Sequence, residues 1–581
     1  MTDAPRLTRR ELLGGAAAVG AASLVGAGSL VGPAAGFEAA PPAPAGLGAA
    51  SPARASRWVG TLAGTSAPMA APRRFSLVGV EWASPAAAIE LRTRPSDGPW
   101  GPWAAASTPG HGPDGRSSAD RANDWNVPGG TSGGEPAGAP RFGQPVWSGP
   151  ADYVQLRSRT PVQGVRVHFV STPASGYGGR VTGGDYPLAG PVLAAGPGQP
   201  AIIARAAWAH GHAPPAVPPA YGTVKLAFVH HSETPNGYAP GDVPAMLTSI
   251  YDYHRFVQGW HDIGYNFAVD AFGRIWEARA GGIDQAVIGA QAGGYNQVST
   301  GVVVLGSFMS VAPSSAALAA LERVLAWKLS LHGARSSGRI TVRVNASDAY
   351  YTPFAPGQRV SLPRIAGHRD GDSTNCPGDA LYALLPGIRS KVTARTGDPA
   401  RLTITAAATT VVAGTPITLA GRLARLSGGP IAGAPIELQQ VMPNGATTLL
   451  TTIAAADGSW AAELSLDQNA VIGALHRSRP AAVADATQIG VAPVVRLRVD
   501  SASPLRVSGG VRPDKPSVTV QLYRLAGARR QLMRQHRVAV RHGRFATTIR
   551  AVKHGRYVLQ AVTPGDARNV SGSSPDVHVT V

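Results

Sequence analysis

Two stretches that cannot build an apolar core cut this chain into separate folding units, and a third forms a loop inside one of them. Residues 38–56 are rich in Ala, Pro and Gly, residues 109–141 in Gly, Pro, Ser and Asp, and residues 172–200 in Gly and Pro. Such segments bury too little apolar surface to offset the entropy of ordering them, so linkers and a mobile loop are expected there. A chain of 581 residues is also too long for one core, and three to five domains are the expectation. Its 71 Gly and 50 Pro add turns, which favours β-rich modules.

Between the breaks the hydrophobic period changes. From 57 to 171 short runs alternate apolar and polar residues, as in IELRTR at 89–94 and VQLRSR at 154–159, which predicts an N-terminal β-rich module. From 201 to 396 strands and helices mix. Lys225 to Val229 and Gly301 to Leu305 read as buried strands, and Tyr265–Val269 with Arg274–Ala278 as a hairpin around Gly273. Val243, Met246, Leu247, Ile250 and Val257 make one helical stripe, with Asp242 as N-cap. A second helix starts near Ser314 and ends at Gly333, and a third begins before Leu381. After residue 400 the helical period disappears. Residues 400–493 and 494–581 show short strands with turns every eight to twelve residues, the pattern of two β-sandwich (Ig-like) modules. The reading is a multidomain chain with a central α/β domain.

The first 37 residues read as an export signal of the twin-arginine type, because Arg9 and Arg10 precede a weakly apolar stretch from Gly14 to Gly32. A secreted or wall-associated protein is therefore expected, with no membrane span in its mature part. Cys376 is the single cysteine, which excludes an intramolecular disulfide. The net charge of +19 favours polyanionic partners. Residues 495–581 hold 16 Lys and Arg against 4 Asp and Glu, a net +12, so anionic wall polymers are the expected partner of that module. It carries no nucleic-acid motif, and nucleic acid is not an expected partner.

One constellation carries chemistry. His230 and His231 end a strand, His368 sits in a turn, and Cys376 follows eight residues later. Two imidazoles and a thiolate are ligands that zinc binds well, and three protein ligands leave a fourth position for water. By spacing alone the set is weak, since each histidine taken singly fits a structural role.

Their surroundings are more specific. FVHHS at 228–232, HRFVQGWHDIGYNF at 254–267, FGRIWEAR at 272–279, GAQAGGYN at 289–296, STGVVVLG at 299–306, IAGHRD at 365–370 and TNCPGD at 374–379 follow one another in order. Together with IIARAAW at 202–208 they resemble the peptidoglycan recognition proteins and phage-type zinc N-acetylmuramoyl-L-alanine amidases, over about a third of the chain. The resemblance implies a mixed sheet flanked by helices and a groove for muramyl peptides of peptidoglycan. It implies zinc (Zn2+) as cofactor, held by His230, His368 and Cys376, with Tyr265 and Thr374 as catalytic residues. By the same carry-over His231, His254 and Gln291 contact the muramyl peptide, and Asp262 and Asp370 steady the ligands from outside. The implied reaction is hydrolysis of the amide between the muramic acid lactyl group and L-alanine. Many relatives carry histidine at the position of Gln291. The strand at 301–305 lacks the glutamate of a second zinc amidase group, which places this chain with the tyrosine-dependent branch. A non-catalytic recognition protein is the rival reading.

Overall fold

The computed structural model describes residues 53–83, 88–106, 141–171, 198–209, 215–442, 445–526, 529–550 and 553–581. The expected export signal, most of the two linkers and nearly all of the 109–141 loop lie outside the described residues. Among the described residues no helix is long and apolar enough to cross a membrane.

The N-terminal module is built on β1 (Ala53–Thr65), β2 (Met69–Trp82), β3 (Ile89–Arg94), β4 (Ala104–Ala105), β5 (Arg141–Phe142) and β6 (Val146–Ser171). They form one sheet in the order β4-β3-β6-β2-β5, with β1 also paired to the long β6. The two similar arginine runs are neighbours here, since β3 and β6 pair antiparallel with Arg92 opposite Gln155 and Glu90 opposite Arg157. Their guanidiniums interleave with Trp100 and Trp103, Arg92 lying over both rings and Arg157 over Trp103. These tryptophans serve the module's own surface.

The central domain carries a six-stranded mixed sheet. Its strands are β7 (Ile202–Ile203), β8 (Leu226–His231), β9 (Phe267–Val269), β10 (Ile275–Glu277), β11 (Ser299–Val304) and β14 (Ile365–Gly367), ordered β14-β8-β11-β9-β10-β7. Only the β9–β10 hairpin is antiparallel. A strand covered on both faces needs apolar residues at every position, and β11 obeys. Its Val302 and Val304 enter the core beneath α2 (Ser315–Leu331) and α3 (Asp379–Thr396), while Val303 faces α1 (Val243–Asp252). Two strands, β12 (Arg339–Arg343) and β13 (Arg359–Pro363), form a separate hairpin in the segment before His368. Val342, Val344, Val360 and Leu362 of that segment pack on Leu226, Phe228 and Tyr295, beside the end of β8.

Helix limits follow local chemistry. Ser314 caps α2, its hydroxyl accepting from the Ala317 N–H. Asp242 does not cap α1 with its side chain. Its Oδ2 accepts from the Ala239 N–H instead, closing the preceding 3-10 turn. The stripe also runs past α1 into a π-helical turn, Tyr253–Val257. Beyond residue 400 every described element is a strand. In 400–492 two sheets share one apolar core that includes Leu419, Leu438, Trp460 and Ile472. In 494–581 a three-stranded and a five-stranded sheet enclose a second core around Val507, Val520 and Leu559.

Candidate metal centre

The site forms where β8, β14 and the start of α3 converge. His230 lies near the end of β8, His368 directly follows β14, and Cys376 precedes α3. Their ligand atoms lie within 4.8 Å of one another, and all three residues are buried. His230 Nδ1 is 3.6 Å from Cys376 Sγ, and the two imidazole centroids are 4.6 Å apart.

Each imidazole is oriented through its other nitrogen. His230 Nε2 meets Gln291 Oε1 at 2.6 Å, and Gln291 Nε2 donates in turn to Ser299 Oγ. His368 Nε2 meets Asp372 Oδ2 at 2.9 Å, and the Gly293 N–H donates to the same oxygen. With Nε2 engaged on both rings, Nδ1 is the nitrogen that can coordinate, which is the outer-partner arrangement of metal-binding histidines. Burial holds His230 well below the usual imidazole range and His368 down at about 3. Burial also pushes the Asp372 carboxyl well above its usual range, with the Gly293 N–H opposing the shift. Neutral imidazole is the form that ligates. Burial likewise pushes the Cys376 thiol well above its usual value, so a cation at this point is what would stabilise its thiolate. A soft thiolate, two neutral imidazoles and a closed polar second layer fit zinc.

The other residues singled out from the sequence divide into groups. Tyr265 stands beside the cluster, its ring centroid 5.4 Å from that of His230. Its phenol is pushed well above its normal range by burial, with the nearby Cys376 and Glu233 adding to the effect, so it stays a protonated donor. His254 lies beyond Tyr265, at 5.8 Å between centroids, stacked 4.3 Å from Trp260, and its Nδ1 accepts from the Gly264 N–H. Thr374 Oγ1 accepts from the Cys376 N–H, so it shapes the cysteine loop.

Four residues sit differently from the expectation. His231 is packed beside Phe308 of the Ala227 and Val229 core, on the face of β8 away from Phe228. Its Nδ1 accepts from the Phe308 N–H, and its Nε2 is 3.2 Å from Glu233. Adjacent strand residues point to opposite faces, which explains why it does not join His230. Gln291 is fully buried behind His230, so in this structure it orients a ligand instead of lining a groove. Asp370 accepts from the Gly367 N–H and the Tyr382 hydroxyl, and Asp372 holds the position beside His368 expected of it. Asp262 pairs with Arg205 at 2.7 Å and accepts from the Ile263 and Ala280 N–H groups, tying loops together away from the ligands. Asp372 and Glu233 were missed. The only signal for Asp372 was its place four residues after His368, and the nearer Asp370 matched the motif better.

Residues 220–379 match the family described as N-acetylmuramoyl-L-alanine amidase. The central domain belongs to this family. Residues 42–175 match a second family, the Rv3811 N-terminal galactose-binding domain-like module. Among similar proteins, peptidoglycan-recognition protein LB of Drosophila melanogaster is 27% identical over 183 residues, 31% of this chain and 66% of that protein. The human N-acetylmuramoyl-L-alanine amidase is 31% identical over 195 residues, 32% of this chain and 28% of its own. The solved wild-type Drosophila PGRP-LB aligns with 32% of this chain and 91% of its own at 25% identity, with a TM-score of 0.24. The matched stretch spans just under two thirds of the insect protein and less than a third of the human one. Within the amidase-family domain, the match covers His230, Tyr265, His368 and Cys376.

Proposed function

We propose that this chain is an exported, zinc-dependent N-acetylmuramoyl-L-alanine amidase that hydrolyses the amide between the muramic acid lactyl group and L-alanine of peptidoglycan. The observation that carries the reading is the buried His230, His368 and Cys376 cluster, whose imidazoles are already turned by Gln291 and Asp372. Those three residues would hold the ion. Zinc, when bound, supplies Lewis acidity toward a carbonyl and lowers the pKa of water to about 7. Tyr265 supplies a protonated hydroxyl that donates to the oxygen on which negative charge develops. Thr374 holds the Cys376 loop through its bond to the Cys376 N–H. The arginine pair at residues 9 and 10 supports export, and the relatives named as amidases support the reaction class.

The test is mass spectrometry of purified peptidoglycan incubated with the zinc-loaded full chain, with a chelated control and Cys376→Ala. The expected result is release of stem peptides with a free L-alanine amino terminus, lost in both controls. Binding without release at full zinc occupancy would establish a recognition protein instead.

A further inference from the structure

The N-terminal module reaches one candidate catalytic residue, Tyr265. Gln144, between β5 and β6, is 3% exposed, and its Oε1 accepts from the Tyr265 hydroxyl at 3.4 Å. One residue earlier, the Gly143 carbonyl accepts from the Tyr253 hydroxyl at 3.3 Å. Gly79 of β2 lies under the Tyr253 ring so closely that a Cβ there would meet it at 2.0 Å. Ser76 Oγ lies 3.4 Å from Ser249 Oγ of α1. The 142–144 segment is anchored to its own module, since Phe142 pairs with Glu81 and the Gly143 N–H donates to the Val80 carbonyl. Tyr265 and Cys376 are 1% exposed, and His230 and His368 are fully buried.

From these contacts we infer that the N-terminal module is an autoinhibitory lid, with Gln144 as its stopper over Tyr265. The inference rests on the amidase reading above. A glycan strand bearing a peptide cannot reach a phenol that is buried and already bonded to another module, so turnover requires the module to swing away. The closed module is held by burial of Leu77, Trp147 and Val170 in the cluster around α1, and its polar contact with Tyr265 is the weak point. The bond at Tyr265 is near the long limit for a hydrogen bond, and it joins two neutral groups.

The test uses the full zinc-loaded chain with Ser76→Cys and Ser249→Cys, which place a reversible bridge across the junction. Two rates are read, stem-peptide release and zinc extraction by dipicolinate, before and after reduction with a phosphine. The bridged form is expected to be at least tenfold slower in both, with recovery on reduction. Equal rates in a chain shown by mass to be bridged overturn the lid. Gln144→Ala, which needs no bridge, is expected to speed both rates severalfold. If it slows release and leaves extraction unchanged, Gln144 is a positioning residue for Tyr265 and the lid is overturned. If no form releases peptide but extraction still differs between bridged and reduced protein, the lid stands and the amidase reading fails.

Discussion

Asp372 sets the residue-scale question of how much a ligand depends on what stands behind it. Its Oδ2 holds His368 Nε2 at 2.9 Å and is itself fixed by the Gly293 N–H. Asp372→Asn keeps the shape but changes the acceptor, and partners of this kind are worth about 10–100-fold in metal affinity. Competition titration with a zinc chelator is expected to show that loss with the circular dichroism spectrum unchanged. Unaltered affinity would mean that His368 is oriented by packing alone. Gln291 depends on a neighbour in the same way, because a Cβ on Gly301 would meet its Cγ at 2.5 Å. Gly301→Ala is therefore expected to displace Gln291 from His230 and weaken zinc binding, measured in the same titration. The sequence made the three ligands legible because their motifs are specific. It could not rank Asp370 against Asp372, or separate a groove-lining Gln291 from a ligand-orienting one, because those roles depend on side-chain direction.

At the scale of the element, α1 carries an unusual group. Burial lifts the Asp252 carboxyl from 3.8 to about 7, with Arg54 opposing the shift. The folded chain then binds more protons than the unfolded one between roughly pH 4 and 7, so stability falls as pH rises through that window. Asp252→Asn removes the charge at constant size. Its thermal midpoint is expected to exceed that of the wild type clearly at pH 8 and hardly at pH 4. A variant less stable at pH 8 would show that the carboxylate is compensated. At the start of α2, Ser314→Ala removes a cap worth about 1 kcal/mol, to be seen as a small, pH-independent loss of stability by denaturant titration. Both helices were visible in the sequence as apolar stripes. The role of Asp242 was not, because an aspartate before a helix serves equally well as a cap for the preceding turn.

At the scale of the molecule, the modules meet through ordinary core residues. Leu77, Trp147 and Val170 of the N-terminal module enter the cluster built around α1, and Leu475 and Val483 of the 400–492 unit enter the one beneath α2 and α3. Alternation along β2 or β6 marks such residues as buried without saying against which neighbour, so the module breaks were readable and their docking was not. Charge behaves differently, because it needs no partner inside the chain. The last unit carries the net +12, and its strands Arg529–Ala539 and Arg544–Ile549, with the turn between them, present exposed Arg534, Arg537, Arg541 and Arg544. If that unit retains the protein on anionic wall polymers, the attraction is screened over about 8 Å at physiological ionic strength and is therefore salt-sensitive. Replacing those four arginines by glutamine should move elution from isolated walls to lower sodium chloride. Zinc content and release of peptide from soluble muramyl peptides should stay as in the wild type, because the substitutions lie outside the amidase-family domain. Elution at the same salt would place retention in the groove itself, with the peptidoglycan and not its anionic polymers as the anchor.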